Sequence, residues 1–95
     1  MENKNKVRAH VFFSGRVQRV FFRRTVMLKA NLLKITGWIK NLKDGRVEAV
    51  FEGEKEKIEK LVKNAGKGNP LIRVDYFELE WEKYSGQYEN FKVTY

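Results

Sequence analysis

The chain has 95 residues, with 20 Lys and Arg against 12 Asp and Glu, a net charge of +8 and no cysteine. At that length one domain spanning residues 1–95 is expected, burying roughly 60–65 % of the surface its unfolded chain exposes. Disulfides, thiolate metal sites and a cysteine nucleophile are excluded, and no apolar run approaches the roughly 20 residues needed to span a bilayer.

Taken in order, Val7, Ala9, Val11 and Phe13 alternate with Arg8, His10 and Phe12, which predicts a first strand. An arginine-rich loop follows, and then Phe22, Val26, Ala30 and Leu33 recur at the spacing of a helix of about 12 residues. Ile35 to Leu42 predicts a second strand, Lys43-Asp44-Gly45 a hairpin turn, and Val47, Ala49 and Phe51 a third strand. Ile58, Leu61, Val62 and Ala65 define a second helix, with Glu54 and Glu56 at its start and Gly66 as the residue that would end it. Beyond a loop from Gly66 to Pro70, the set Ile72, Val74, Tyr76 gives way to Phe77, Leu79, Trp81 in the opposite phase. One sheet face cannot take both sets, so a β-bulge is expected near Tyr76–Phe77. Lys83 to Asn90 is a polar loop, and Phe91, Val93 and Tyr95 form a short last strand. The order predicts an α+β, ferredoxin-like βαββαβ sandwich: an antiparallel sheet with two helices on one face and a short C-terminal strand.

The charge is unevenly placed. Residues 1–46 carry 12 Lys and Arg against Glu2 and Asp44 alone, whereas residues 47–95 carry 8 against 10 acids. Arg16, Arg19, Arg23 and Arg24 crowd the junction between the first strand and the first helix. A helix N-terminus already carries about half a positive charge and free N–H groups, so arginines there are unfavourable until an anion binds. Phosphate is the anion that such a junction suits best.

The same junction reads Gly15-Arg16-Val17-Gln18-Arg19-Val20-Phe21-Phe22-Arg23, followed by Gly37-Trp38-Ile39-Lys40-Asn41 and then Asp44-Gly45-Arg46-Val47-Glu48. These stretches, in this order and separation, resemble the acylphosphatase family, whose pattern is G-x-V-Q-G-V-x-F-R, then G-W-V-x-N and a D-G turn. Length, element order and the Pro70 loop also fit, so the resemblance covers nearly the whole chain. It implies hydrolysis of a carboxylic–phosphoric anhydride to carboxylate and inorganic phosphate, without metal, cofactor or covalent intermediate. Arg23 matches the arginine that holds the phosphoryl group, and the loop Gly15, Arg16, Val17, Gln18, Arg19, Val20, Phe21 and Phe22 supplies backbone N–H groups around it. Asn41 matches the asparagine that orients the attacking water. The expected partners are a small acyl phosphate and phosphate only, for a cytoplasmic monomer with no membrane contact and no specific nucleic acid.

Taken singly, Arg23 also reads as a solvated first-turn arginine, and Asn41 as a hairpin residue. His10 is given no role. Two positions depart from the family pattern: Arg19 stands where a loop glycine is usual, and Lys34 where a helix-ending glycine is usual. If either needs φ > 0, the cost is on the order of 1 kcal/mol, and at Arg19 it bears on the shape of the cradle. The alternatives are a basic ferredoxin-like RNA-binding module and a weakly active phosphate-binding relative impaired by Arg19. Against the first, the third strand carries Glu48 and Glu52 rather than an RNA-binding glycine–aromatic pattern.

Overall fold

The computed structural model describes residues 5–95. Its elements are β1 (Lys6–Arg16), α1 (Phe22–Leu32), β2 (Thr36–Asn41), β3 (Val47–Glu54), α2 (Lys55–Lys63), β4 (Arg73–Glu82) and β5 (Phe91–Val93). They form a five-stranded sheet in the order β4-β1-β3-β2-β5. β1 runs antiparallel to both β3 and β4, and β2 antiparallel to β3. β5 pairs with β2 in parallel, Gly37 facing Phe91 and Ile39 facing Val93, so the expected antiparallel sheet is mixed at this edge.

The period-2 pattern decides which face is buried. Ala9, Val11, Phe13, Val47, Ala49, Phe51 and Ile39 lie in one core with Val26 and Ala30 of α1 and Ile58, Leu61 and Val62 of α2. Both helices therefore cover the same face of the sheet. On the other face, cross-strand neighbours are mostly charged: Arg8 lies opposite Glu52 and Glu82, His10 opposite Glu80, and Phe12 opposite Glu48 and Glu78. Aromatic side chains there sit among carboxylates, which is the wrong sign for a nucleic-acid surface.

The phase change in β4 is a bulge between Val74 and Tyr76, slightly earlier than the pattern suggested, and it lies opposite Ser14 and Gly15. Gly15 has φ 131°, and a Cβ there would run into the Arg73 carbonyl. The bulge thus brings β4 so close to β1 that only glycine fits.

Lys34 adopts φ 61°. It forms a Schellman end to α1, with Ile35 N–H donating to Ala30 O (2.8 Å) and Lys34 N–H to Asn31 O (3.2 Å). Gly66, expected to end α2, does not. Asn64 is the C-cap, its Nδ2 donating to Lys60 O at 2.9 Å, and Gly66 is small because a Cβ would sit 2.6 Å from Ile72 Cγ2. Lys29 of α1 completes that end by donating to the carbonyls of Asn64, Ala65 and Lys67 at 2.8, 3.3 and 2.8 Å. A cation against the C-terminus of a helix is favourable. Desolvation, and then the charge of Lys67, hold its pKa below the ordinary lysine value.

Glu52 points to the open face yet is fully buried. The loop 83–90 folds over it: Ser85 N–H, Ser85 Oγ and Gly86 N–H donate to its carboxylate at 2.9, 2.7 and 3.0 Å, and Arg8 Nη1 at 3.3 Å. Burial alone would raise its pKa, but these hydrogen bonds outweigh it and hold the carboxyl below the ordinary range.

Candidate active site

The loop between β1 and α1 is held at three points. Val17 and Val20 are buried. Gln18 Nε2 donates to Leu42 O (2.8 Å) and Arg46 O (2.9 Å), tying the loop to the β2–β3 hairpin. Asn69 Nδ2 donates to Val20 O at 3.1 Å, tying it to the segment before β4. Between these anchors the backbone turns sharply, and Arg19 (φ 66°) and Phe21 (φ 62°) both take the left-handed conformation. Arg19 thus stands in the conformation that suits the glycine usual at this position. That of Phe21 had no signal in the sequence, since a bulky residue argues against it.

The turn delivers the chain into α1 with its N-terminus bare. Phe21 is the N-cap and supplies no side-chain hydrogen bond, and the first turn holds no acid. Thr25 N–H donates to Phe21 O, but among the described residues no N–H from Gln18 to Arg24 has an acceptor. Arg16, Arg19, Arg23 and Arg24 likewise have no ion-pair partner among the described residues. Arg19, Arg23 and Arg24 line one cleft at this bare end of α1, a combination of positive charge and free N–H groups that favours an anion.

An open cleft of about 520 Å³ lies at this end, and both Arg23 and Asn41 line it although 18 positions separate them in sequence. Parallel pairing of β5 beside β2 brings Val93 and Tyr95 to the same cleft. Arg23 Nη1 donates to Thr94 O at 3.4 Å, and its guanidinium carbon lies 5.0 Å from the centre of the Tyr95 ring. These contacts set the fork of the guanidinium against the cleft wall. Thr94 and Tyr95 were not expected here; the alternating pattern marked Tyr95 only as a strand residue. Asn41 closes β2, and its Oδ1 is buried without any hydrogen-bond partner. A buried carbonyl oxygen left unpaired costs about 1–3 kcal/mol, a cost that no other group among the described residues offsets at Asn41.

The remaining loop residues do other work. Gly15 and Arg16 belong to the end of β1, paired with Val74 and Arg73. Gln18 and Val20 hold the loop from behind, whereas Val17, Arg19, Phe21 and Phe22 line the cleft with Arg23. In the β2–β3 hairpin, Asp44 accepts from Arg46 N–H (3.0 Å) and Arg46 Nε (2.9 Å), which lower the Asp44 pKa. No group of three or more His, Cys, Asp or Glu that could hold a metal occurs among the described residues. Among them, no helix is long and apolar enough to cross a membrane.

Fold and cleft together describe a small α+β protein with an arginine-rich loop at a bare helix N-terminus. The acylphosphatase family profile matches residues 9–93. The acylphosphatase of Pelotomaculum thermopropionicum is 44 % identical over 91 residues, 96 % of this chain and 99 % of that protein. That of Thermococcus kodakarensis is 48 % identical over 89 residues, 94 % and 97 % respectively. The solved structure of an acylphosphatase from Coxiella burnetii superposes with a TM-score of 0.89 at 39 % identity, covering 99 % of this chain and 98 % of its own. This chain belongs to the acylphosphatase family, and that membership supports a hydrolase with acylphosphatase activity.

Proposed function

We propose that the protein hydrolyses the carboxyl–phosphate bond of small acyl phosphates, with Arg23 and the loop N–H groups holding the phosphoryl group and Asn41 orienting the attacking water. The observation that carries this reading is the meeting of Arg23 and Asn41 on one cleft, with Asn41 Oδ1 buried and unpaired. The unpaired oxygen is an acceptor for a water O–H. The Arg23 fork and the free N–H groups match the equatorial phosphoryl oxygens, where charge is spread in a loose transition state.

The water oxygen forms a bond to phosphorus as the bond from phosphorus to the acyl oxygen breaks. The carboxylate leaves with the electron pair, and both water protons stay on the phosphate. A carboxylate is a good enough leaving group to need no general acid, and no side chain has to titrate. Catalysis then rests on positioning and fixed charge, which an arginine, an amide and backbone N–H groups supply. The reading includes turnover without metal.

The test is hydrolysis of benzoyl phosphate in EDTA by wild type and Arg23→Ala. The wild type turns over, and the variant loses about a hundred- to a thousandfold in kcat/KM together with inhibition by inorganic phosphate. A folded wild type without turnover, or a fully active variant, would overturn the assignment.

A further inference from the structure

Phe21 suits its place in the fold poorly on three counts. Its left-handed backbone (φ 62°, ψ 24°) is strained for a residue bearing a Cβ. It occupies the N-cap of α1, where Ser, Asp or Asn would satisfy an orphan N–H and a phenyl ring cannot. The residue is 70 % exposed, so burial does not offset this misfit. The next residue shows the contrast: Phe22 is buried and meets Phe13 edge-on with ring centroids 5.1 Å apart.

The residue nevertheless belongs to the cleft. Phe21 lines the cleft together with Met27, Val93 and Tyr95, an apolar set beside the polar one formed by Arg19, Arg23 and Asn41. A substrate with a charged phosphoryl end and an uncharged acyl end presents the same two chemistries. An exposed aromatic face beside a cationic cradle is placed to cover the second while the cradle holds the first.

We propose that Phe21 is a specificity-determining residue: its exposed ring packs against the acyl group and favours flat, apolar acyl groups, aryl above all, over acetyl. This rests on the acylphosphatase reading and adds a substrate class to it. The contribution appears in the ratio of kcat/KM between an aryl and a methyl acyl phosphate, because a residue that only shapes the loop moves both substrates together.

The experiment compares benzoyl phosphate with acetyl phosphate for wild type, Phe21→Leu and Phe21→Asn, with thermal unfolding of each. Asn tolerates the left-handed conformation and can cap the helix, so this variant is built to fold. The benzoyl-to-acetyl ratio falls about three- to tenfold in Phe21→Asn, the range one aromatic contact is worth, and Phe21→Leu lies between. Tm of Phe21→Asn rises. The same ratio in all three proteins, whatever the absolute rates, overturns the inference while leaving the activity in place. Wild type that hydrolyses neither compound overturns the functional reading, and this inference with it.

Discussion

Two loops of the described residues present backbone N–H groups in opposite ways: one is answered from within the chain and the other is not. In the loop 83–90 the N–H groups of Ser85 and Gly86 meet the Glu52 carboxylate, and Arg8 lies 3.3 Å from it. In the loop leading into α1, among the described residues, N–H groups and four arginines meet no carboxylate at all. The chemistry is the same in both: a concave run of donors and a guanidinium. A buried carboxylate supplied by the chain makes the first a clamp on the sheet. The second is left with positive charge that stability alone would not place there, which is what a site for an exogenous anion requires.

The comparison breaks first at Glu52. Glu52→Ala leaves the Ser85 and Gly86 N–H groups without their acceptor, while Arg8 keeps Glu82 at 2.9 Å, and it costs about 1–3 kcal/mol, read by denaturant unfolding. Turnover per folded molecule is retained, because the clamp and the cleft share no residue. The pH dependence has a definite sign. The folded pKa of Glu52 is depressed, so its contribution is fully present above the unfolded value of about 4.3 and is lost as pH falls through the lower folded value. Tm of Glu52→Gln therefore falls less between about pH 5 and pH 2 than that of wild type. Parallel curves would show that the carboxylate is not held as described.

At the open site the sharpest change is Asn41→Ala. It removes the unpaired oxygen rather than a charge, so turnover falls about a hundredfold or more while inhibition by inorganic phosphate stays near wild type. Relieving a buried, unsatisfied acceptor also leaves stability unchanged or slightly higher. Full turnover in Asn41→Ala would remove the water-orienting role assigned to it.

The two sites differ as much in legibility as in chemistry. The arginine junction was visible because four like charges at a helix start violate a local rule, whereas Asn41 stood out only through the family resemblance and on its own read as a turn residue. Both helices and the inward sets Ala9-Val11-Phe13 and Val47-Ala49-Phe51 follow from period alone. Glu52 was not visible: in the strand pattern it is one more outward glutamate like Glu48, and its burial comes from residues 33 and 34 positions later in the chain. Gly66 misled for a related reason, since the Asn64 side chain and Lys29 from the other helix close α2 earlier than a glycine signal implies. Phe21 was hidden by its own bulk. Arg19 and Lys34, by contrast, were suspected of positive φ only because the family carries glycine there.

That last pair gives the finest test. Arg19 and Lys34 adopt nearly the same left-handed angle, φ 66° and 61°, so changing either to glycine relieves a similar strain. Each variant gains up to about 1 kcal/mol, several degrees in Tm for a domain of this size. If strain were the whole account, the two would be indistinguishable in every assay. They are not equivalent in position: Arg19 lines the cleft, while Lys34 closes α1 in its Schellman motif. Lys34→Gly therefore changes Tm alone. Arg19→Gly also raises KM for acyl phosphate about two- to fivefold at low ionic strength, an effect that fades as salt screens the exposed charge. Equal kinetics with equal loop conformation would make Arg19 a passive occupant of a glycine's place, and the excess positive charge at the junction would then belong to Arg23 and its neighbours without it.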